Sequence, residues 1–477
     1  GSKNQKVTAS TSILPIIMEG SMDENQYNIV KVRDDKNPIK YLFNCETQNF
    51  DLVDQANLEW CNGSFFTKNE LRTHIEPWLT SLFQSEHLSL LVGSGLTTAI
   101  QYAACGTSNN GMGTTPTFSV FADSITKAAN DSAVRTGRQE ANIEDQIRVA
   151  NELIAGLRVL KDNPGFPDLS SDLEVLRSEL NGILEHFTNN ISAIEQSIAS
   201  SDAEKREAAF NKLVMFIMSF ASRTGTRDRL NIFTTNYDRL IEAGADVAGL
   251  RLIDRFVGAL TPVFRSSRMD VDMHYNPPGI RGEPRYLEGV ARFTKLHGSL
   301  DWINVGNDIR RIGLPFGVKT LKPFLEVAGL STDYSSLMIY PNSAKDRETA
   351  EYPYVELFRD FAAALCRPNS TLVTYGYSFG DDHINRVIRD MLTIPSTHLV
   401  VIDYSDSTGR IMKNFNQWGH QSQMSLIIGK DTANIDDLVD YYLPKPSIDR
   451  ASIRMADILK QRFNQPTKNE KEGEISE

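Results

Sequence analysis

The chain has only four cysteines in 477 residues, Cys45, Cys61, Cys105 and Cys366. No two of them have the C-x-x-C spacing of a structural zinc site, and four scattered cysteines are too few for a disulfide framework. The pattern indicates free or buried thiols in a reducing compartment, so we expect a cytoplasmic protein.

Long apolar runs and positive charge are also scarce. No stretch approaches the ~18 apolar residues of a membrane span, and the first residues lack a secretory pattern. Lys and Arg number 50 against 61 Asp and Glu, a formal net charge of −11. Binding to nucleic acid phosphates requires dense Lys and Arg. We therefore expect neither association with a membrane nor direct sequence-specific binding of nucleic acid. A local basic groove is still compatible with this charge.

The apolar segments that do occur are short, β-branched and bounded by Gly, Asn or Pro, which is typical of strands buried on both faces. They are Leu88–Val92, Asn231–Thr234, Phe293–Leu296, Leu337–Tyr340, Thr371–Tyr375, Leu399–Ile402 and Leu426–Ile428. Helical patterns such as Tyr237–Ala245 and Ile384–Leu392 separate most of them. This alternation predicts an α/β fold with a doubly wound, mostly parallel Rossmann-like sheet, whose ligands gather at the carboxyl ends of its strands.

Three regions stand apart from that core. Residues 1–85 contain a predicted hairpin (Tyr27–Val32 with Tyr41–Asn44) and a helix that starts near Thr67, at the spacing of a capping box. Residues 141–224 are predicted to be a helical insertion, whose apolar stripes need burial within the chain or against a second subunit. Residues 431–465 are predicted to form two short helices split at prolines 444 and 446, and 466–477 a disordered tail.

A glycine-rich turn follows the first buried strand. Gly93-Ser94-Gly95 lets the backbone approach a phosphate, with amides and a helix start directed at it. A tight strand–helix turn without any ligand explains the same glycines. The third glycine of a Rossmann fingerprint and the lysine of a P-loop are both missing, so this motif alone is a weak indication of phosphate binding.

The second motif is Thr234-Thr235-Asn236-Tyr237-Asp238, where an apolar strand passes into a helix. The Asn236 amide supplies both a donor and an acceptor. Asp238 can hold a sugar hydroxyl, but helix capping explains Thr235 and Asp238 equally well.

The third motif is Lys295-Leu296-His297-Gly298, at the end of another strand. A lone histidine is most often a structural residue. A histidine at the carboxyl end of a strand in such a sheet is nevertheless better placed than most for acid–base work, and Gly298 clears backbone space beside it.

The fourth motif opens from a strand into Gly376-Tyr377-Ser378 and then into a helix. Asp381 and Asp382 in its first turn fit capping better than ligand binding, and the sequence has no further acid or histidine cluster to complete a metal site. Asp403 ends the next strand, where an acid commonly accepts a hydrogen bond from a ribose hydroxyl.

The order of the four motifs is more specific than any one of them. Gly-Ser-Gly, Thr-Thr-Asn-Tyr-Asp, Lys-Leu-His-Gly and Gly-Tyr-Ser-Phe, each closing a strand, resemble the sirtuin family of NAD-consuming proteins. They look most like its bacterial branch in anti-phage defence. The resemblance covers about residues 86–430, which it predicts to be one sirtuin-like NAD-binding domain.

The resemblance implies a role for each matching residue. It implies that Asn236 lies beside the nicotinamide ribose and that His297 is the catalytic base. It assigns NAD contacts to Gly93, Ser94, Gly95 and Leu96 at the pyrophosphate, to Thr234, Thr235, Asp238, Gly376 and Ser378, and to Asp403 near the adenosine ribose.

Two departures from sirtuin deacylases change the expected reaction. Those enzymes usually carry a four-cysteine zinc module, which the four scattered cysteines cannot form, so no zinc is expected. About 140 residues also separate Gly95 from Asn236. Because the acyl-lysine groove borders the zinc module, the resemblance favours water as nucleophile. NAD+ is then the substrate of a glycohydrolase, and the product is ADP-ribose or a cyclic form.

The resemblance also implies control by assembly. We expect a homo-oligomer with a separately encoded partner, a hexameric ring ATPase being favoured. Two other functions fit the motifs: a non-catalytic module that senses NAD or another nucleotide, and a protein ADP-ribosyltransferase. Resolving the products formed from NAD separates the three.

Overall fold

The computed structural model describes residues 27–54, 58–61, 63–108, 117–135, 140–161, 163, 165, 167–223, 227–276, 285–326, 334–339 and 352–445. The predicted tail 466–477 and most of the predicted helical segment 431–465 lie outside these ranges.

The strands are β1 (Asn28–Lys31), β2 (Ile39–Asn44), β3 (Asn49–Leu52), β4 (Phe65–Phe66), β5 (His87–Val92), β6 (Asn231–Thr234), β7 (Arg251–Ile253), β8 (Phe256–Val257), β9 (Val263–Phe264), β10 (His274–Tyr275), β11 (Arg285–Tyr286), β12 (Val290–Lys295), β13 (Gly298–Val305), β14 (Asp308–Arg311), β15 (Leu337–Ile339), β16 (Ser370–Tyr375), β17 (His398–Asp403) and β18 (Met424–Ile428).

The helices are α1 (Lys68–Phe83), α2 (Ser94–Cys105), α3 (Ala122–Arg135), α4 (Ile143–Leu160), α5 (Ser170–Ala199), α6 (Ala203–Ala221), α7 (Leu240–Ala248), α8 (Lys322–Leu325), α9 (Tyr354–Leu365), α10 (Asp382–Leu392), α11 (Arg410–Gln417) and α12 (Ile435–Asp437). None of the helices in the described ranges is both long and apolar enough to cross a membrane.

An 11-stranded sheet forms the centre of the fold, in the order β4-β3-β2-β1-β18-β17-β16-β5-β6-β12-β7. All neighbours from β18 to β7 are parallel. Because β5 has β6 on one side and β16 on the other, the direction of sheet growth reverses between β5 and β16. Such a reversal opens a crevice at the carboxyl ends of the strands. The predicted mixed α/β class with a parallel-rich sheet is therefore confirmed.

Helices cover both faces of this sheet. Leu90 and Val92 of β5 belong to a buried cluster that includes side chains of α1, α2, α6 and α7. Leu91, which points the opposite way, belongs to a cluster that includes α9, α10 and α11. The unbroken apolar runs of these strands follow from burial on both faces.

The N-terminal strands extend the same sheet. β1 pairs antiparallel with β18 and with β2, so the predicted hairpin is present. α1 begins after Thr67, whose hydroxyl accepts a hydrogen bond from Glu70 N (3.2 Å) while Thr67 N donates to Glu70 Oε2 (2.7 Å). The predicted capping box is confirmed.

The predicted insertion contains the long helices α4, α5 and α6. Its leucine stripes are buried within the chain: Leu157, Leu173 and Leu180 lie in one cluster with Leu300 and Ile303 of β13. Of the two ways to bury such a stripe, the structure uses the internal one. The stripes therefore supply no argument for a second subunit, and the division of the chain into segments stays a prediction.

One local prediction was wrong. Leu337–Tyr340 was expected among the parallel strands, but its described part, Leu337–Ile339, lies in a second sheet, β15-β13-β14-β9-β8, antiparallel to β13. Leu337 and Met338 are buried as predicted, but the pairing partner is the earlier strand β13 rather than a strand of the central sheet. In the C-terminal segment, expected as two helices split at the prolines, α12 continues directly into a helical turn at Leu438–Tyr442 that ends before the first proline. The second expected helix lies outside the described residues.

Candidate functional site

The two glycine turns pack against each other at the point where the sheet reverses. Gly93 N donates to Tyr375 O (3.0 Å) and Gly95 N donates to Gly376 O (3.1 Å). A Cβ atom on Gly93 would lie 2.3 Å from Gly376 O, and one on Gly95 would lie 2.5 Å from Gly376 Cα. Gly376 also has φ +60°. Close backbone approach therefore requires all three glycines, independently of any ligand.

The glycine turn opens directly into α2. Gly93 is the N-cap residue and supplies no side-chain cap. Ser94 is exposed, whereas Leu96 is 1% exposed and belongs to the core, and its amide donates to Gly93 O (3.3 Å). The amide and hydroxyl of Ser94 are thus the groups at this helix start that are placed to meet an anion. The side chain of Leu96 contributes packing.

Asn236 lies against the glycine turn. Its Nδ2 donates to Gly93 O (2.9 Å) and to Thr97 Oγ1 (3.1 Å), and its backbone amide donates to Thr234 Oγ1 (3.1 Å). Since a carbonyl oxygen only accepts, the contact with Gly93 fixes which way the amide faces. Within the described residues Oδ1 accepts no hydrogen bond, and Asn236 is half-buried. This oxygen is therefore free to accept one from a bound molecule.

The carboxylate of Asp238 supports the hydrogen bonds of Asn236 and Thr97. Its Oδ2 accepts from Thr97 Oγ1 (2.7 Å) and its Oδ1 accepts from Leu240 N (3.0 Å) at the start of α7. Asp238 is 9% exposed. The carboxylate orients Thr97, and Thr97 orients the Asn236 amide. Of the two roles considered for Asp238, the structure supports the one at the helix start. Its Oδ1 accepts from the first amide of α7, although Arg239 is the N-cap residue, and both carboxylate oxygens already accept internal hydrogen bonds.

The two threonines before Asn236 bind the turn to β5. Thr234 Oγ1 donates to Val92 O (2.9 Å), and Thr235 N donates to the same oxygen (3.2 Å). Thr234 is buried and Thr235 is half-buried. Both residues join the ends of the neighbouring strands β5 and β6.

His297 follows the end of β12 and is 9% exposed. Its ring centroid lies 5.6 Å from that of His383 on α10 and 6.4 Å from that of Tyr237. Gly298 has φ +90°, and a Cβ there would lie 1.9 Å from Met338 O. Any other residue at 298 would displace the backbone that carries His297. The glycine predicted to clear backbone space beside the histidine does so.

The helical insertion also contacts the turn that carries Asn236. Tyr237 Oη donates to Glu144 Oε1 on α4 (3.4 Å). Arg239 and Glu195 of α5 form a buried ion pair, and Glu195 Oε1 also accepts from Arg239 N (2.7 Å). Arg239 Nη1 also donates to Leu314 O (2.6 Å), and Nη2, besides its bond to Glu195, donates to Pro315 O (3.0 Å). The insertion thus forms part of the site's support.

Gly376 leads into a strained loop before α10. Ser378 is exposed, and Phe379 has φ +54° although it is not glycine. Asn385 Nδ2 donates to Phe379 O (3.0 Å) and holds this conformation. Backbone strain of this kind is often retained at ligand-binding sites. In this conformation the side chain of Ser378, two residues after Gly376, is exposed.

Asp403 ends β17, next to the strand of Gly376. Gly376 N donates to Ile402 O (3.1 Å), and Ser405 N donates to Asp403 Oδ1 (3.2 Å). Burial raises the pKa of the Asp403 carboxyl to about 7, with a smaller contribution from Asp406. The carboxyl can therefore change its charge near neutral pH.

The structure thus gathers most of the predicted residues at one edge of five neighbouring strands. Thr97, Tyr237 and His383 lie in or directly beside the predicted motifs but were given no role, and Glu144 was missed. A threonine one turn into the helix after Gly95 was the available signal for Thr97. No sequence signal joins Glu144 to Tyr237, since 92 residues separate them.

The four cysteines lie on separate elements and are free thiols. Cys45 is in the β2–β3 turn, Cys61 precedes β4, Cys105 ends α2 and Cys366 follows α9. Within the described ranges, no group of three or more His, Cys, Asp or Glu side chains is arranged to hold a metal ion.

A family model described as a SIR2-like domain matches residues 230–422. The matched region contains Asn236, His297, Gly376 and Asp403, while Gly93 precedes it. No curated protein matches the chain. The match supports a sirtuin-like family, and because SIR2-like domains are often NAD-utilising enzymes, it indicates an NAD-related function.

Proposed function

We propose that the chain is an NAD+ glycohydrolase, which cleaves the nicotinamide–ribose bond and releases nicotinamide and ADP-ribose. The observation that carries the proposal is the oriented amide of Asn236. Its Nδ2 is held by Gly93 O and Thr97 Oγ1, and its Oδ1 faces away from both. Binding of NAD in the crevice at this edge of the sheet brings the ribose to that oxygen.

The chemistry asks for few groups. Loss of nicotinamide leaves an oxocarbenium-like ribose carbon, and the electrons of the broken bond neutralise the pyridinium nitrogen. The oxygen of a water that donates a hydrogen bond to Asn236 Oδ1 attacks that carbon. The water proton passes to His297, and such a general base contributes ~10²–10⁴-fold to the rate.

The pyrophosphate of NAD needs a counterpart, and the chain carries a net charge of −11. The start of α2 supplies the backbone amide of Ser94 and the positive end of a helix dipole, with the Ser94 side chain exposed beside them. This supports anion binding by backbone groups in place of a basic pocket. Ser378 and Asp403 would meet the rest of the dinucleotide along the same edge.

Hydrolysis is favoured over peptide deacylation by the cysteine arrangement. A groove for acyl-lysine borders a four-cysteine zinc module in sirtuin deacylases, and the cysteines of this chain lie on four separate elements. Without a bound acyl-lysine peptide, water is the nucleophile that reaches the ribose carbon.

The proposed biological role is bacterial anti-phage defence in the cytoplasm, by depletion of NAD. Uncontrolled NAD loss would kill the host, so activity must be gated. Following the sequence resemblance, we assign the gate to homo-oligomerisation and a separately encoded partner, a hexameric ring ATPase being favoured.

The decisive experiment incubates the purified chain with NAD+ over a wide range of protein concentrations and resolves the products. Equal amounts of nicotinamide and ADP-ribose are expected, with activity rising as light scattering reports a larger assembly. Covalently labelled protein would instead identify an ADP-ribosyltransferase. Saturable NAD binding without loss of NAD in any assembly state would identify a non-catalytic sensor.

The variant Asn236→Ala tests the proposed role of the oriented Asn236 amide. It is expected to lower NAD hydrolysis by at least about 100-fold, because the water loses its acceptor. Asn69→Ala, an exposed asparagine on α1, is the matched control. Equal activity of the two variants would remove Asn236 from the mechanism.

A further inference from the structure

Lys295 is a deeply buried lysine, with 2% of its surface exposed. It is the last residue of β12, two positions before His297. A buried ammonium group is costly unless all three of its hydrogens find acceptors.

The Lys295 ammonium has three acceptors. It donates to Asp238 O, to Tyr237 O (3.5 Å) and to Glu242 Oε1 (3.0 Å). Two of them are backbone carbonyls of the residues that directly follow Asn236. The third is a carboxylate on the first turn of α7, which supplies the compensating charge.

The same turn is tied a second time to the strand after His297. Tyr237 O also accepts hydrogen bonds from Leu300 N (2.9 Å) and Ser299 Oγ (3.4 Å). Lys295, at the start of the Lys-Leu-His-Gly motif, and Ser299 and Leu300, just after the motif, therefore all donate to the carbonyl of Tyr237. Lys295 is the member of this set that brings a charge.

We propose that Lys295, with Glu242 as its counter-ion, is a positioning residue that fixes the turn carrying Asn236 to β12, the strand that leads into His297. The inference rests on the proposed function for its kinetic consequence. Its structural consequence, an ordered 234–240 turn, stands independently of that function.

The surroundings of Glu242 agree with this role. Its Oε2 is buried and has no hydrogen-bond partner among the described residues. Burial raises the pKa of the Glu242 carboxyl to about 7, with Lys295 opposing the rise and Asp301 adding to it. Replacing a buried ion pair by apolar residues is often neutral or stabilising, so stability alone gives little reason for this pair.

The test compares Lys295→Met, Glu242→Gln and the double variant with the wild type. Removing one partner leaves an uncompensated buried group and lowers the melting temperature, whereas the double variant recovers it. The kcat for NAD loss is expected to stay about 100-fold low in the double variant, because the turn is no longer held. Lys31→Met is the matched control, since Lys31 is also buried and donates to Met424 O on another part of the sheet.

Hydrogen exchange of peptides that cover residues 234–240 supplies a readout that needs no activity. The double variant is expected to exchange these amides at least about tenfold faster, with unchanged protection of β5. Unchanged exchange, or kcat that returns together with the melting temperature, would overturn the positioning role. A wild type that binds but never consumes NAD would overturn the proposed function alone, since exchange still decides the role of Lys295.

Discussion

Thr97 on α2 donates its hydroxyl hydrogen to the Asp238 carboxylate at 2.7 Å, across 140 intervening residues. The hydroxyl oxygen of Thr97 also accepts a hydrogen bond from Asn236 Nδ2. One hydroxyl group thus aligns the glycine turn after β5 with the polar turn after β6, and its loss is expected to disturb both.

Replacing Thr97 by Val removes that hydroxyl at nearly constant volume. The free energy of unfolding is expected to fall by about 1–3 kcal/mol, because Asp238 Oδ2 is left buried without a donor. NAD hydrolysis falls as well, and Thr97→Ser restores most of both. Denaturant titration and the NAD assay are the measurements, with the exposed neighbour in Thr98→Val as control. A fully active and fully stable T97V protein would contradict the proposed role of the Asp238–Thr97–Asn236 hydrogen bonds.

Replacing His297 by Ala is expected to abolish NAD loss while the melting temperature stays within a few degrees of the wild type. The imidazole is proposed to take the proton of the attacking water, and no other group is placed there by the mechanism. The matched control is His186→Ala, at an exposed position of α5. Unchanged NAD consumption by H297A would sink the assignment of the base.

Gly376 and Gly409 have similar φ angles, +60° and +66°, in different surroundings. A Cβ on Gly376 would lie 2.5 Å from Gly95 Cα, whereas none of the neighbouring atoms comes within 4 Å of a Cβ on Gly409. Gly409→Ala is expected to cost about 1 kcal/mol of unfolding free energy through backbone conformation alone. Gly376→Ala should cost clearly more, because two backbones must separate. Equal costs in chemical denaturation would show that the two turns are not in contact.

Asp403 predicts a pH dependence of NAD binding. Its pKa, raised by burial to about 7, means that the carboxylate predominates only above neutral pH. As the acceptor for a ribose hydroxyl, the carboxylate is the binding form, so the KM for NAD is expected to fall as pH rises from 6 to 8. Asp403→Asn should remove most of this slope. A wild-type slope that persists in D403N would assign it to another group.

His398 predicts acid sensitivity of the fold. Burial, with a smaller effect of Lys31, lowers the pKa of its imidazole from 6.5 to about 4. The folded protein therefore disfavours the protonated ring. The unfolding free energy that depends on the neutral ring is fully present above pH 6.5 and is lost as pH falls towards 4. The unfolding free energies of wild type and His398→Gln should diverge by about 2 kcal/mol over that window. Parallel curves would exclude His398 as the titrating group.

The sequence was most informative where one segment determines its own structure. Buried parallel strands are continuous apolar runs, so Asn231–Thr234 was predicted to the residue. The capping box at Thr67 is equally local. Predicted site residues at strand ends came together because parallel strands end at one edge of the sheet.

Pairing partners distant in the chain could not be predicted in this way. An apolar run such as Leu337–Ile339 carries no mark of the sheet it joins. The start of α7 was placed three residues early, since the bonds from Lys295 and Leu300 hold Tyr237 in an extended turn before the helix. The burial of Lys295 beside Glu242 likewise depends on the contact of β12 with α7 and with the turn before that helix.

The ion pair between Arg239 and Glu195 has a practical consequence for dissecting the chain. Excising the long helices to obtain a minimal catalytic fragment would remove the carboxylate of Glu195. The guanidinium of Arg239 would then be buried without a partner, at a cost of several kcal/mol. Such a fragment is expected to aggregate rather than fold. Truncation studies should therefore keep the helix from Ser170 to Ala199 whole and trim the chain elsewhere.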